Sequence, residues 1–129
     1  TLRLEWRDFP YLGQESVTAA RAGRAAAQQD RFWEFHAAMF ADQPAPNSGD
    51  IDTGYLVDKA EQIGLDVAQF QADLTSAEVA EAVDRDFTEG QMIGVLGTPS
   101  FIINGRPLVG AQPLDVFITA IEQAAAEAS

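Results

Sequence analysis

The chain has 129 residues, 47% of them hydrophobic, with 20 acidic against 8 basic side chains and a formal net charge of −12. So acidic a surface repels phosphate backbones and anionic lipid, which excludes nucleic acid and membrane surfaces as partners, and no run of eighteen apolar residues is present to insert into a membrane. There is no cysteine, which removes disulfides, thiolate metal sites and cysteine nucleophiles from these residues.

The length fits a single domain built around one core. Thr1 leads directly into a strand-like pattern rather than a basic head and an apolar stretch, so no signal peptide is read here. From Thr1 to Phe9, Leu2, Leu4 and Trp6 alternate with Arg3, Glu5 and Arg7, the period of a strand, and Asp8-Phe9-Pro10 ends it. Helical patterning follows. Ser16 is the expected N-cap of a helix to Gln28, in which Ala19, Ala20, Gly23, Ala26 and Ala27 permit close packing. Asp30 is the expected cap of a second helix with Phe32, His36, Met39 and Phe40 at helical spacing. Gln43 to Asp52, with two prolines, a glycine and Asn47-Ser48, reads as a surface loop inside the domain.

Tyr55, Leu56, Ala60 and Ile63 mark the next helix, which Gly64 should stop. Asp66–Gln69 and Thr75–Glu78 both have capping-box spacing, and the second opens a helix carrying Val79, Val83 and Phe87 as far as about Gly94. The acid is concentrated here: eleven Asp or Glu lie between Asp50 and Glu89, with only Lys59 and Arg85 against them, and they read as solvated helix faces. Ser100–Ile103, Asn104-Gly105 and Pro107–Val109 then predict a hairpin. After Gly110, Pro113 suits the first turn of a last helix whose apolar face is Val116, Phe117, Ala120 and Ile121.

Gly97-Thr98-Pro99 stands immediately before Phe-Ile-Ile-Asn-Gly-Arg and Val-Gly-Ala-Gln-Pro. With Trp6–Pro10 and Phe32–His36, in this order, it resembles the DsbA-like branch of the thioredoxin superfamily from about Leu2 to Ile121. The resemblance implies an α/β, thioredoxin-like fold with a helical insertion, here about residues 15–94, and a C-terminal hairpin and helix at 98–127, all in one partial domain spanning 1–129. It implies a cis Thr98–Pro99 bond, a geometry open to X–Pro bonds at a cost of only roughly 0.5–1 kcal/mol. It also makes Gly97, Thr98 and Pro99 the substrate-binding residues, with Thr98 presenting its backbone N–H and C=O to a peptide added as a strand.

In the family, a Cys-x-x-Cys at the start of a helix does the chemistry, because the helix terminus lowers the first thiol's pKa. That pair, its helix and the strand before it precede the segment matched to Thr1–Arg7, so the chain reads as a fragment without catalytic residues of its own. The activity implied for the intact protein is thiol–disulfide exchange on cysteine-containing proteins with a redox partner, in an extracytoplasmic compartment and without a cofactor. Without the central strand, unpaired strand edges invite rearrangement, swapping or homodimer formation. Two alternatives stand beside this reading: a redox-inactive peptide-binding module, and a relative of the FrnE or hydroxychromene-carboxylate isomerase type, cytoplasmic in the FrnE-like case.

The remaining candidates carry less. His36 is the sole histidine, beside Met39 and Phe40, and reads as a partly buried structural ring rather than a metal ligand. Ser16, Ser48, Ser76 and Ser100 lack a nucleophile-elbow context. Asp84 and Asp86, two apart on a helix, face different ways. The glycines at 94, 97, 105 and 110 precede no Lys-Ser or Lys-Thr. Trp6 and Trp33 read as core or rim aromatics.

Overall fold

A computed structural model describes every residue from Thr1 to Ser129. Six helices and two strands follow in the order α1 (Gln14–Ala27), α2 (Phe32–Ala41), α3 (Thr53–Gln62), α4 (Val67–Leu74), α5 (Ala77–Met92), β1 (Ser100–Ile103), β2 (Arg106–Val109) and α6 (Leu114–Ala128). They form two compact units, Thr1–Gly90 and Gln91–Ser129.

The core of the first unit joins Ala22, Ala25 and Ala26 of α1 to Phe35 of α2, Leu56 and Ala60 of α3, Leu65, and Phe70 and Leu74 of α4. Of the small α1 residues expected to pack closely, only Ala26 is fully buried. Ala22 and Ala25 complete the buried stripe, and the small side chains of α1 let α2 and α4 approach it. Phe35 and Phe70 meet at 5.6 Å between ring centroids. In α5, Val79 and Val83 are buried and Phe87 lies against Phe9 at 4.7 Å. Gly90 is there because of Phe9: a Cβ at that position would come within 2.6 Å of the phenyl ring.

Several local expectations shift by a few residues, each for an identifiable reason. The α1 helix starts two residues before Ser16, with Gly13 at its N-cap. Asp30 closes α1 instead of opening α2. It adopts a positive φ of 59°, its N–H reaches the Ala27 carbonyl, and the Arg31 N–H reaches that of Ala26, the pairing of a left-handed C-terminal cap. Arg31 is therefore the N-cap of α2, and its guanidinium donates to the Ile63 carbonyl at 2.5 Å. Gly64 stops α3 as expected, with the Leu65 N–H returning to Ala60. Asp66 caps α4 through the Gln69 N–H at 3.0 Å. The cap of α5 is Ser76, not Thr75: its hydroxyl accepts from the Val79 N–H at 3.2 Å.

The largest departure is at the start of the chain. Thr1 to Pro10 forms no strand, and Leu2 and Leu4 are 65% and 64% exposed. Alternation supplies two faces, but a strand also needs a ladder partner, and no backbone hydrogen bond reaches residues 1–7.

The hairpin of the second unit forms as read, one residue longer on its return. Ser100 pairs with Val109 and Ile103 with Arg106 across a turn in which Asn104 and Gly105 both have positive φ. Phe101 sits edge-on to Phe117 of α6 at 4.8 Å, and Arg106 pairs with Glu127 at 2.8 Å. Pro113 is the N-cap of α6, one position before the first turn, and the expected face of Val116, Phe117, Ala120 and Ile121 is the half-buried one.

Candidate functional site

Gly97, Thr98 and Pro99 form the loop entering β1. The Thr98–Pro99 peptide is cis. Two neighbouring carbonyls are occupied: that of Gly97 accepts from the Ser100 hydroxyl at 2.7 Å, and that of Pro99 from the Gly110 N–H at 2.9 Å. These bonds pin the loop from both sides and leave the N–H and C=O of Thr98 without a partner in the chain. Thr98 and Pro99 are exposed and Gly97 is half-buried. Chemically, the loop offers one backbone donor and one backbone acceptor to an extended peptide, with no nucleophile, acid or base beside them in sequence.

The first unit holds two constellations, one that sequence reasoning did not single out and one around His36, which it did. In one, Arg24 of α1 donates through Nε to Asp8 at 2.6 Å and pairs through Nη2 with Asp86 of α5. The Asp8 N–H also donates to Asp86 at 3.1 Å, and the Trp6 indole N–H donates to Asp8 at 2.9 Å. Asp8 is only 6% exposed. Burial works to lower the Arg24 pKa, but the hydrogen bond to Asp8 and the charges of Asp8 and Asp86 outweigh it, and the guanidinium is held above its usual range. Asp84 and Asp86 face different ways, as their two-residue spacing on a helix predicts. That divergence was the available signal: Asp84 is exposed, whereas Asp86 points inward at Arg24.

In the other constellation, His36 is ringed by Phe40 at 4.6 Å, Trp6 at 4.9 Å, Trp33 at 5.5 Å and Phe32 at 5.9 Å. It is half-buried and makes no ion pair, which agrees with the structural role read from the sequence. Burial lowers its pKa, so the folded chain holds the neutral ring. Any stability tied to this ring is then full above the usual histidine value of about 6.5 and is lost as pH falls from there through the depressed folded value. The expected result is that denaturant unfolding at pH 7.5 and pH 5.5 differs more for the natural chain than for His36→Phe. The single histidine's NMR resonance should titrate with a midpoint below the usual value; a midpoint at or above it would show that the aromatic ring of neighbours favours the imidazolium.

Residues 2–122 match the family described as a DSBA-like thioredoxin domain. Over 109 residues the chain is 32% identical to a probable disulfide bond formation protein D of Bacillus cereus, covering 81% of this chain and 50% of that protein. It is 37% identical over 110 residues to a Na(+)/H(+) antiporter NhaA of Herminiimonas arsenicoxydans, covering 85% of this chain and 17% of that one. Among solved structures, a thioredoxin-like oxidoreductase from Silicibacter pomeroyi superposes with a TM-score of 0.78 at 31% identity, covering 92% of this chain and 66% of that protein. The chain thus spans half or less of these two curated relatives. No helix in it is long and apolar enough to cross a membrane. With the match running from residue 2 to residue 122, the chain belongs to the DsbA-like thioredoxin-domain family and has its thioredoxin-like fold with a helical insertion.

Proposed function

We propose that the chain is the substrate-holding part of a DsbA-like thiol–disulfide oxidoreductase domain, whose reacting Cys-x-x-Cys is supplied by sequence outside these 129 residues. The supporting observation is the pinned loop at Gly97, Thr98 and Pro99, in which the Thr98 N–H and C=O stay unpaired while the carbonyls on either side are taken. A cysteine-containing substrate peptide would add to Thr98 as a short strand, placing its sulfur beside the attacking thiolate. A thiolate of the pair attacks a substrate disulfide, or a substrate thiolate attacks the pair's disulfide; in either direction a mixed S–S bond forms, the attacked S–S bond breaks, and its other sulfur leaves as a thiolate. Regeneration then requires a redox partner. The activity needs no cofactor and fits an extracytoplasmic compartment, where disulfides persist. The antiporter name of one relative describes, on this reading, the larger remainder of that protein. Homodimer formation through unpaired strand edges also belongs to this reading, supported by the unladdered residues 1–7.

The chain alone is expected to catalyse no insulin reduction and no oxidative refolding above the thiol buffer. The longer natural protein should catalyse one of them, and Thr98→Pro, which removes the N–H, should raise its KM for a peptide substrate about tenfold through loss of a backbone hydrogen bond to substrate. A longer protein that binds extended peptides but has no cysteine pair would instead establish the redox-inactive module. A serine in place of the first cysteine would point to the isomerase-type relative.

A further inference from the structure

A cleft of about 420 Å³ lies between α1 and α5, within the size range of small-ligand sites, roughly 300–1,000 Å³. Its floor is apolar: Val79 is buried, and Ala27 and Ala82 are half-buried. Its walls carry charges of both signs, and these are segregated. Arg24 meets Asp86, so Arg24 and Arg85 stand toward one end of the cleft, while Asp30, Glu78 and Glu81 stand toward the other. Asp30, Glu78, Glu81 and Arg85 are exposed, and none of them makes an ion pair within the chain. Glu81 and Arg85 stand four residues apart with the acid first, the order and spacing at which a helix ordinarily pairs such charges, yet both remain free. Arg24 spends Nε on Asp8 and Nη2 on Asp86, and its Nη1 makes no hydrogen bond within the chain.

We propose that this cleft binds the free C-terminal end of a basic peptide. The peptide's lysine or arginine stem lies on Val79 and Ala82 with its cation among Asp30, Glu78 and Glu81, and its terminal carboxylate is taken by Arg85 and the Nη1 of Arg24. A purely cationic ligand would meet the two guanidiniums, and a purely anionic one the three carboxylates. Only a ligand with both charges, joined by an apolar stem, satisfies both ends. Lysine and arginine have that form, since their methylenes cover apolar surface while the charged head stays in water. Spacing places the cation. Arg85 is four residues beyond Glu81 and seven beyond Glu78, about 6–10 Å along a helix. A basic side chain in the last or next-to-last position reaches that far from the terminal carboxylate. Each earlier position adds about 3.3–3.6 Å of extended chain and overshoots. None of the residues involved belongs to the Gly97–Pro99 loop, so this is a second site, in addition to the one that holds substrate for thiol–disulfide exchange.

The test titrates the isotope-labelled chain with acetyl-Ala-Lys-Ala bearing a free C-terminus, and with its C-terminal amide, followed by backbone amide NMR shifts. The free acid should shift residues 24–30 and 78–85 and bind about fivefold or more tightly than the amide. The direction discriminates, because at a net charge of −12 the overall field of the protein favours the amide, which is the more positive ligand. Glutamine in place of the peptide's lysine should weaken binding about tenfold. Arg85→Gln should abolish the preference for the free acid. Glu78→Gln with Glu81→Gln should weaken acid and amide alike, whereas Glu122→Gln, an exposed carboxylate of α6, should change neither. All these side chains are exposed, and circular dichroism verifies that each variant folds. Equal or tighter binding of the amide, shifts scattered over the acidic surface, or a preference that survives Arg85→Gln overturns the proposal. Binding of Nα-acetyl-lysine as tight as that of the tripeptide overturns the peptide as the source of the ligand in favour of a small dipolar compound. No readout involves thiol chemistry, so failure here is distinguishable from failure of the oxidoreductase reading.

Discussion

Replacing Arg24 by alanine is expected to destabilise the first unit by about 3–5 kcal/mol, the range for removing one partner from a buried ion pair. The cost comes less from the lost attraction than from what stays behind: Asp8 and Asp86 are both mostly buried, and their carboxylates would face each other across the space the guanidinium filled. The Asp8 N–H would still donate to Asp86, so the carboxylates could not move apart without breaking a second bond. Removing the charges together should recover much of the loss, because a neutral cluster has no desolvation penalty to offset; Arg24→Met with Asp8→Asn and Asp86→Asn is the comparison. Denaturant unfolding followed by tryptophan fluorescence reads the effect in the right place, since Trp6 and Trp33 both belong to the first unit. A loss below about 1 kcal/mol would show that the cluster behaves like an exposed bridge.

Phe70→Ala should have a comparable effect by a different route, about 3–5 kcal/mol. Phe70 is fully buried in α4, packed on Phe35 and inside the cluster that unites α1, α2, α3 and α4. Its removal forfeits the transfer free energy of the ring and opens a cavity that neighbours held on four separate helices can fill only in part. Phe70→Leu should cost less than half as much, because most of the volume is retained. Near-equal losses for the two variants would mean that the site is governed by ring geometry rather than by volume. By contrast, Phe40→Ala should be mild: its ring touches His36, but it is 57% exposed.

The helices and the hairpin were readable because their signals are local. Gly64 stops α3 through its own backbone freedom, Asp66 caps α4 through the N–H of Gln69 three residues on, and Asn104-Gly105 reverses the chain with two positive φ angles. Each depends on residues within one turn. Where neighbouring residues could perform the same task, spacing alone did not choose between them: Ser76 caps α5 while Thr75 is taken up as the C-cap of α4, and Asp30 terminates α1 although it stood where a cap for α2 was needed. The candidate site divides in the same way. Gly97, Thr98 and Pro99 are consecutive, so the loop could be named from the chain, but the bonds that pin it arrive from Ser100 and from Gly110.

Composition and local pattern by themselves gave most of the helices, the C-terminal hairpin, a strongly acidic net charge and the absence of cysteine from these residues, with a family resemblance carried by a few short motifs. The tertiary structure decided which residues act together across long separations. Asp8, Arg24 and Asp86 are spread over 78 positions and become one buried cluster, because the segment before α1, α1 itself and α5 each contribute one of them and burial makes an unpaired charge costly. The same consideration explains the segment that was misread: Leu2–Trp6 has the alternation of a strand, but a strand is a relation between two segments, and within this chain the second is absent.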